Sequence, residues 1–338
     1  MKAPHINQPF VSIIMAVYND AQFLSQAVES IMAQTYSNFE FIIIDDGSND
    51  RSLSELLRFK DSRINILANT ENKGLPYSLN KAIVQSTGTY LIRMDSDDIA
   101  MKSRVSKLVR FMEANKNIDV SGSWLRTIDN SNKSRCWKLP TKHEEISAQL
   151  LFRNTIMHPT VILRKESLVK NKELYDPSFI KSQDYDLWVK LLMAGCNFAN
   201  INKPLLKYRV SERNKNPENY RRQNADSARV RKKYINWLGI SPSANELSLN
   251  EYLATLNFRP ANANIDDLYM WCRKLILYNE KAARVDSIQF SQTVSRQFTL
   301  ACLAAPHEHN KLAKKLNSAL RKTTKRSRSV DDIKLVLK

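Results

Sequence analysis

Short apolar runs alternate with segments whose apolar residues recur at helical spacing, and this alternation governs the first third of the chain. Val11–Val17 reads VSIIMAV and predicts a strand. Beyond it Asp20 is placed to cap a helix whose Phe23, Leu24, Ala27, Val28, Ile31 and Met32 share one face. Phe39–Ile44 predicts the second strand, Ser52–Phe59 a short helix and Ile64–Leu67 the third strand. Leu75–Gln85 predicts a helix, Tyr90–Met94 the fourth strand and Lys102–Asn115 a further helix. Strand and helix in turn are the mark of an α/β fold with a mostly parallel central sheet covered on both faces. From about residue 120 to 210 the pattern weakens to β-like pieces, Val120–Trp124 and Thr160–Leu163, and one clear helix, Asp184–Met193.

If the strands run the same way, the segments leaving their carboxyl ends line one edge, where open α/β sheets bind ligands. The polar residues fall there. Tyr18 and Asn19 follow the first strand, Asp45, Asp46, Gly47 and Ser48 the second, Asn72–Gly74 the third, and Asp95, Ser96, Asp97 and Asp98 the fourth. Carboxylates crowded as in the last segment repel one another unless a cation or a donor network neutralises them. Oxygen ligands of this hardness suit Mn²⁺ or Mg²⁺, which complete their shells with water and phosphate oxygens. A metal-bound diphosphate is the natural guest, and a solvated acidic turn is the plain alternative.

Four segments, SIIMAVYN, IIIDDGS, ENKGLPYSLNKAI and GTYLIRMDSDD, occur in this order at βα spacing. Through them the chain, over about residues 10 to 210, resembles the family 2 glycosyltransferases of the GT-A nucleotide-sugar-binding fold, in particular those that build bacterial surface polysaccharides. The resemblance implies a nucleotide-sugar donor, usually a UDP-sugar, with its nucleoside against Ala16, Val17, Tyr18, Asn19 and the Asp45–Asp46 turn. A Tyr18 ring offers a stacking face, and Asp46 can accept the N3–H of uracil. Asp45 fits either that role or a structural one. Asp95 and Asp97 match the acidic positions of the family's DxD motif around Ser96. The first lies near ribose or phosphates and the metal, the second on the metal, and Asp98 caps or supports. Lys73 and Arg93 are candidate fixed cations for the diphosphate, with a solvated side chain as the alternative for each, and Arg93, alternating away from Ile92 along its strand, is expected in solvent.

Gln183-Asp184-Tyr185-Asp186-Leu187-Trp188 resembles the family's later ED-type motif, with Gln183 where the family has Glu. The resemblance makes Asp184 the base that takes the acceptor hydroxyl's proton, with Asp186 as substitute. A carboxylate at a helix start is also favoured by the helix dipole, which explains Asp184 equally as an N-cap. His158 lies in a region near donor phosphates or acceptor in relatives, although a lone His is more often structural. In YRVSERN, Ser211 stands where relatives carry His, and Arg209 remains a phosphate-contact candidate. The implied activity is a metal-dependent hexosyl transfer with inversion, to a hydroxyl of a lipid-linked oligosaccharide or cell-surface polysaccharide.

Charge adds a second partner. The chain has 338 residues, 52 Lys+Arg against 34 Asp+Glu, for a net +18. Residues 211–338 hold 24 basic and 12 acidic residues, two-thirds of that excess. The expected division is a GT-A domain over 1–212 and a mainly helical basic region over 213–338. Within the latter, KLAKKLNSALRKTTKRSR at 311–328 places Leu312, Leu316, Ala319 and Leu320 on one helical face ringed by Lys and Arg. That pattern suits an anionic membrane surface, and a solvated terminal helix is its alternative. A nucleic-acid partner explains the charge but not the acidic edge, so none is expected. The first turn, VYNDAQF, lacks a dehydrogenase's glycine-rich loop, and the Gly-rich basic N-terminal loop of a sugar nucleotidyltransferase, the nearest enzymatic rival, is missing too. Cys136, Cys196, Cys272 and Cys302 form no CxxC pair, which excludes zinc-ribbon and disulfide scaffolds. With neither a signal-peptide pattern nor a long apolar run, the expected location is cytoplasmic, peripheral on the inner face of the cell membrane.

Overall fold

Val11–Val17 (β1) is apolar at positions of both parities, so a strand built from it needs cover on both faces, and Val11, Ile13, Ile14, Met15 and Val17 are all buried. In the computed structural model, which describes residues 8–128, 134–171, 174–210, 216–256 and 264–304, β1 lies inside the sheet. It pairs in parallel with Phe39–Asp45 (β2) on one side and Tyr90–Met94 (β4) on the other, and β2 pairs in parallel with Ile64–Ala68 (β3). Ala21–Met32 (α1), Ser52–Leu56 (α2) and Leu75–Gln85 (α3) lie in the connections. The order β3-β2-β1-β4 reverses direction at β1, the position where such sheets open a crevice beyond their carboxyl ends. Register completes the alignment. Val17 faces Asp45, Asp45 faces Ala68 and Met15 faces Met94, so the residues that follow emerge along one edge.

Past β4 the sheet turns mixed. Ile99–Ala100 (β5), Arg104–Ala114 (α4), Val120–Ile128 (β6), Cys136–Trp137 (β7), His143–Gln149 (α5), a 3-10 turn at His158–Thr160 and Ile162–Arg164 (β8) follow. Lys165–Asn171 (α6), Gln183–Met193 (α7) and Phe198–Arg209 (β9) complete this part. β8 runs antiparallel to both β4 and β6, β6 parallel to β9, and β9 antiparallel to β5. Not all strands therefore point the same way. The expected strand at Thr160–Leu163 begins later, because Pro159 inside the 3-10 turn has no N–H to give a ladder.

The chain divides into two compact units. One runs to His143 and resumes over Thr155–Ser227; the other takes Glu144–Asn154 and the described residues from Ala228 onward. The first holds the sheet and its apolar core. The second is helical, built from the end of Pro217–Trp237 (α8), Ala244–Thr255 (α9), Ile265–Ala282 (α10) and Ser287–Leu303 (α11), with Tyr234, Trp271, Phe290 and Phe298 buried. Local chemistry sets its helix starts: Ser243 and Glu246 form a capping box, and Asn264 and Asp286 accept N–H groups of their first turns. Residues 311–328 lie outside the described residues. No described helix is long and apolar enough to cross a membrane.

Candidate functional site

The edge of the sheet is assembled by side chains that stitch its loops together. Asp46 is buried and its carboxylate is the fastener: Oδ1 accepts from Asn69 Nδ2 at 2.7 Å, Ser78 Oγ at 2.9 Å and the Lys73 N–H at 3.0 Å, and Oδ2 accepts from the Gly74 N–H at 2.9 Å. The loop after β3 and the start of α3 thus hang from one residue at the end of β2. Gly47 has φ +68°, and a Cβ there would sit on the Glu71 main chain, so only glycine fits under this loop. Asn19, also left-handed at φ 53°, donates its N–H to Ser48 Oγ at 3.1 Å, and its Oδ1 accepts from the Asn49 N–H at 2.8 Å. Between these ties Tyr18 stands 41% exposed, whereas the Val17 side chain is in the core and Ala16 only partly open. Asp45 is buried, accepts from the Ser48 N–H at 3.2 Å through Oδ2, and has no partner on Oδ1.

At the end of β4 carboxylate oxygens of Asp95, Asp97 and Asp98 all lie within 4.8 Å of one another. Burial first, then the charges of Asp95 and Asp20, push Asp97 up to about 6. Asp98 is wholly buried and raised well above the ordinary aspartate range, by burial and then by Asp95 and Asp97. Its Oδ1 accepts from the Arg209 N–H at 2.8 Å, and its Oδ2 has no partner. Mutual repulsion together with an orphaned buried oxygen is the state that a divalent cation relieves, so these residues fit one. Asp95 is ion-paired with Arg93. Tyr208 borders the cluster, its phenol pushed up by burial and then by Asp95, Asp98 and Asp97.

On the far side, α7 carries Asp184 in its first turn, and Ser182, not Asp184, takes the N-cap. Trp188, one turn on, donates Nε1 to the Ile156 carbonyl at 3.2 Å and meets the His158 ring edge-on. His158 Nε2 lies 2.8 Å from the Tyr175 hydroxyl, and burial, then Arg93, holds the imidazole well below its ordinary pKa. Tyr175 is kept protonated by burial, with Asp184 and Asp95 both acting on it in the same direction and Arg93 opposing. The phenol thereby lies in the field of Asp184 and of Asp95 at once. Asn80 of α3 clamps the Tyr175 main chain at both its N–H and its carbonyl, at 3.1 and 2.8 Å.

Several expectations change. Arg93 is buried, not solvated, because β4 is covered on both faces and alternation along it leads from one part of the interior to another. Asp20 occupies the α1 N-cap position, but its carboxylate makes no cap bond and instead accepts from Ser96 Oγ; Asp50 serves the Ala21 N–H. Lys73 contributes its main chain to Asp46, while its ammonium is exposed and paired with Glu71. Arg209 is committed to the Asp97 carbonyl, Gln26 and the Phe23 ring. Asp186 is fully buried and paired with Lys190 at 3.4 Å, out of an acceptor's reach. Ser211 lies outside the described residues. Sequence reasoning passed over Tyr175, Tyr208 and Arg104. Arg104 left a signal, since it falls on the apolar stripe of α4 with Val105, Leu108 and Met112.

Comparison with known proteins gives this edge a setting. The sequence model of Glycosyl transferase family 2 matches residues 12–171. A Haemophilus influenzae protein named an uncharacterized glycosyltransferase is 33% identical over 261 residues, 72% of this chain and 80% of that protein. The Escherichia coli UDP-Glc:alpha-D-GlcNAc-diphosphoundecaprenol beta-1,3-glucosyltransferase WfgD is 29% identical over 204 residues, 60% of this chain and 76% of that protein. In fold, the chain is similar to Staphylococcus aureus TarS 1-349 in complex with UDP-GlcNAc, with TM-score 0.59 and 14% identity, covering 93% of this chain and 91% of that one.

Proposed function

We propose a function from one premise, that this chain belongs to glycosyl transferase family 2: it moves a hexose from a UDP-sugar, with a divalent cation and with inversion, to a hydroxyl of a lipid-linked or cell-surface glycan. The observation that carries this reading is the gathering of Asp95, Asp97 and Asp98 at the end of β4, on the same sheet edge as the Asp45–Asp46 turn across β1, with Asp184 acting on the same phenol as Asp95. The UDP-Glc and the diphosphoundecaprenol in the name of one relative, WfgD, support the donor and acceptor classes, and a structure of TarS with UDP-GlcNAc supports the donor class.

In this reading Tyr18 stacks on the base, the main chain at Ala16, Val17 and Asn19 lines the nucleoside, and Asp46 Oδ2 accepts the N3–H. Asp45 supplies negative potential beneath. Asp95 and Asp97, with Asp98 behind them, would hold Mn²⁺ or Mg²⁺, which as a Lewis acid neutralises charge developing on the departing diphosphate. Ser96 ties this turn to Asp20. Lys73 reaches the phosphates only by leaving Glu71, and an exposed pair of this kind is easily broken because water screens it. The acceptor proton passes to a carboxylate oxygen of Asp184. The acceptor oxygen bonds the anomeric carbon as the bond to diphosphate breaks on the opposite side, inverting that carbon without a covalent enzyme intermediate. The basic segment 311–328 would keep the enzyme on the inner membrane face, near its acceptor.

The test measures UDP-sugar hydrolysis and transfer with and without Mn²⁺. Asp97→Ala is expected to lose Mn²⁺-dependent donor binding and turnover together. Asp184→Asn is expected to lose transfer by about 100-fold or more while still binding donor, the effect of removing a general base. Near-wild-type turnover by either variant would falsify the assigned roles.

A further inference from the structure

Arg93 lies on β4 two residues before Asp95 and is 5% exposed. It pairs with Asp95 through Nη2, while Nε and Nη1 have no hydrogen-bond partner. Arg104, buried as well, gives Nη2 to the carbonyls of Arg93 and Pro159, both at 2.6 Å, which fixes the main chain from which Arg93 projects. Burial opposes the charge on this guanidinium, but Asp95 first and then Tyr175 and Asp98 more than offset that and hold Arg93 above its ordinary range, while its orphaned N–H groups remain a cost. Packing alone would favour an apolar side chain of similar length. What Arg93 provides is a permanent positive charge beside three carboxylates whose oxygens crowd within 4.8 Å.

We infer that Arg93 is a positioning residue, an internal counter-cation that holds Asp95, and with it the acidic cluster, in place while no divalent ion is bound. The inference rests on the cation reading proposed above and adds to it the residue that keeps the cluster assembled in the metal-free protein. Its charge and the ion's then do overlapping work: each relieves the same repulsion, and loss of one makes the protein depend more on the other. A side chain that merely fills space has no such coupling to Mn²⁺.

The experiment follows thermal unfolding of the full chain, wild type and Arg93→Met, in EDTA and in saturating Mn²⁺, with Mn²⁺ affinity measured by calorimetry. In EDTA the variant is expected to melt about 5 °C lower or more, in the range a disrupted buried ion pair produces in a chain of this size. Mn²⁺ restores most of that loss, and it binds the variant about tenfold more tightly than wild type, because a fixed positive charge has left its neighbourhood. Asp95→Asn combined with Arg93→Met recovers stability in EDTA. A Mn²⁺ increment in Arg93→Met equal to or smaller than that of wild type overturns the inference and leaves the cation reading standing. No increment in either protein overturns both. Should Arg93→Met fail to fold in EDTA, refolding it with Mn²⁺ and folding the double variant without metal decide the matter. Recovery in either supports the role, and recovery in neither rejects it.

Discussion

At His158, burial keeps an imidazole neutral. Its folded pKa lies well below the ordinary 6.5, first because of burial and second because of Arg93. Unfolded, the ring gains a proton below about 6.5; folded, it does not. Stability present above that pH is therefore lost as pH falls through it, at up to about 1.4 kcal/mol per pH unit. Urea unfolding of His158→Gln from pH 7.5 to 5.5 should show a shallower decline than wild type. Asp97 works in the opposite sense, since its folded pKa of about 6 exceeds the ordinary 3.8. The folded protein is free of that burden below 3.8 and bears it fully above about 6, so Asp97→Asn should raise the melting temperature at pH 7.5 in EDTA while removing activity. Residues of this edge differed in how legible they were. Asp45, Asp46 and Asp95–Asp98 stood out as acids ending apolar strands. Arg93 did not, because alternation along a strand says which face a residue takes and not whether that face meets water. Tyr175 sits in no periodic pattern at all.

Among the elements, β1 to β4 and α1 to α4 were readable because apolar runs and helix-period segments alternate in order, bounded by polar turns; Leu75–Gln85 and Tyr90–Met94 have the bounds the sequence predicts, whereas α2 stops at Leu56, short of the expected Phe59. The later sheet was not, because β8 has three residues, β5 and β7 two each, and short runs carry no period to read. Their pairing partners are fixed by tertiary contact: β5 finds β9 more than a hundred residues away, which is also what brings Arg209 against Asp98. The turn between β2 and α2 belongs to this scale as well. Gly47→Ala places a side chain at φ +68° on the Glu71 main chain, and such strain with its clash is expected to cost about 2 kcal/mol or more. UDP binding should weaken in parallel, which denaturation and titration calorimetry on the same preparation would establish; unchanged values in both would contradict the account of this loop.

For the molecule as a whole, charge and fold carry different information. Net charge announced an anionic partner without choosing it, and no local pattern announced that 144–154 clusters with the helical unit. Deleting 311–328 removes KLAKKLNSALRKTTKRSR. If that segment serves the membrane, the deletion abolishes binding to vesicles containing anionic lipid, binding that in the full chain fades with salt, while UDP titration is unchanged. The four donors that Asp46 already satisfies reach further than the loop they fasten. A loop fastened at folding has surrendered its disorder beforehand, so a nucleotide bound there as proposed would meet a mould instead of a closing hand. Titration calorimetry of UDP should then give a small heat-capacity change, without the large ordering entropy of coupled folding, and stopped-flow mixing should show one concentration-dependent phase.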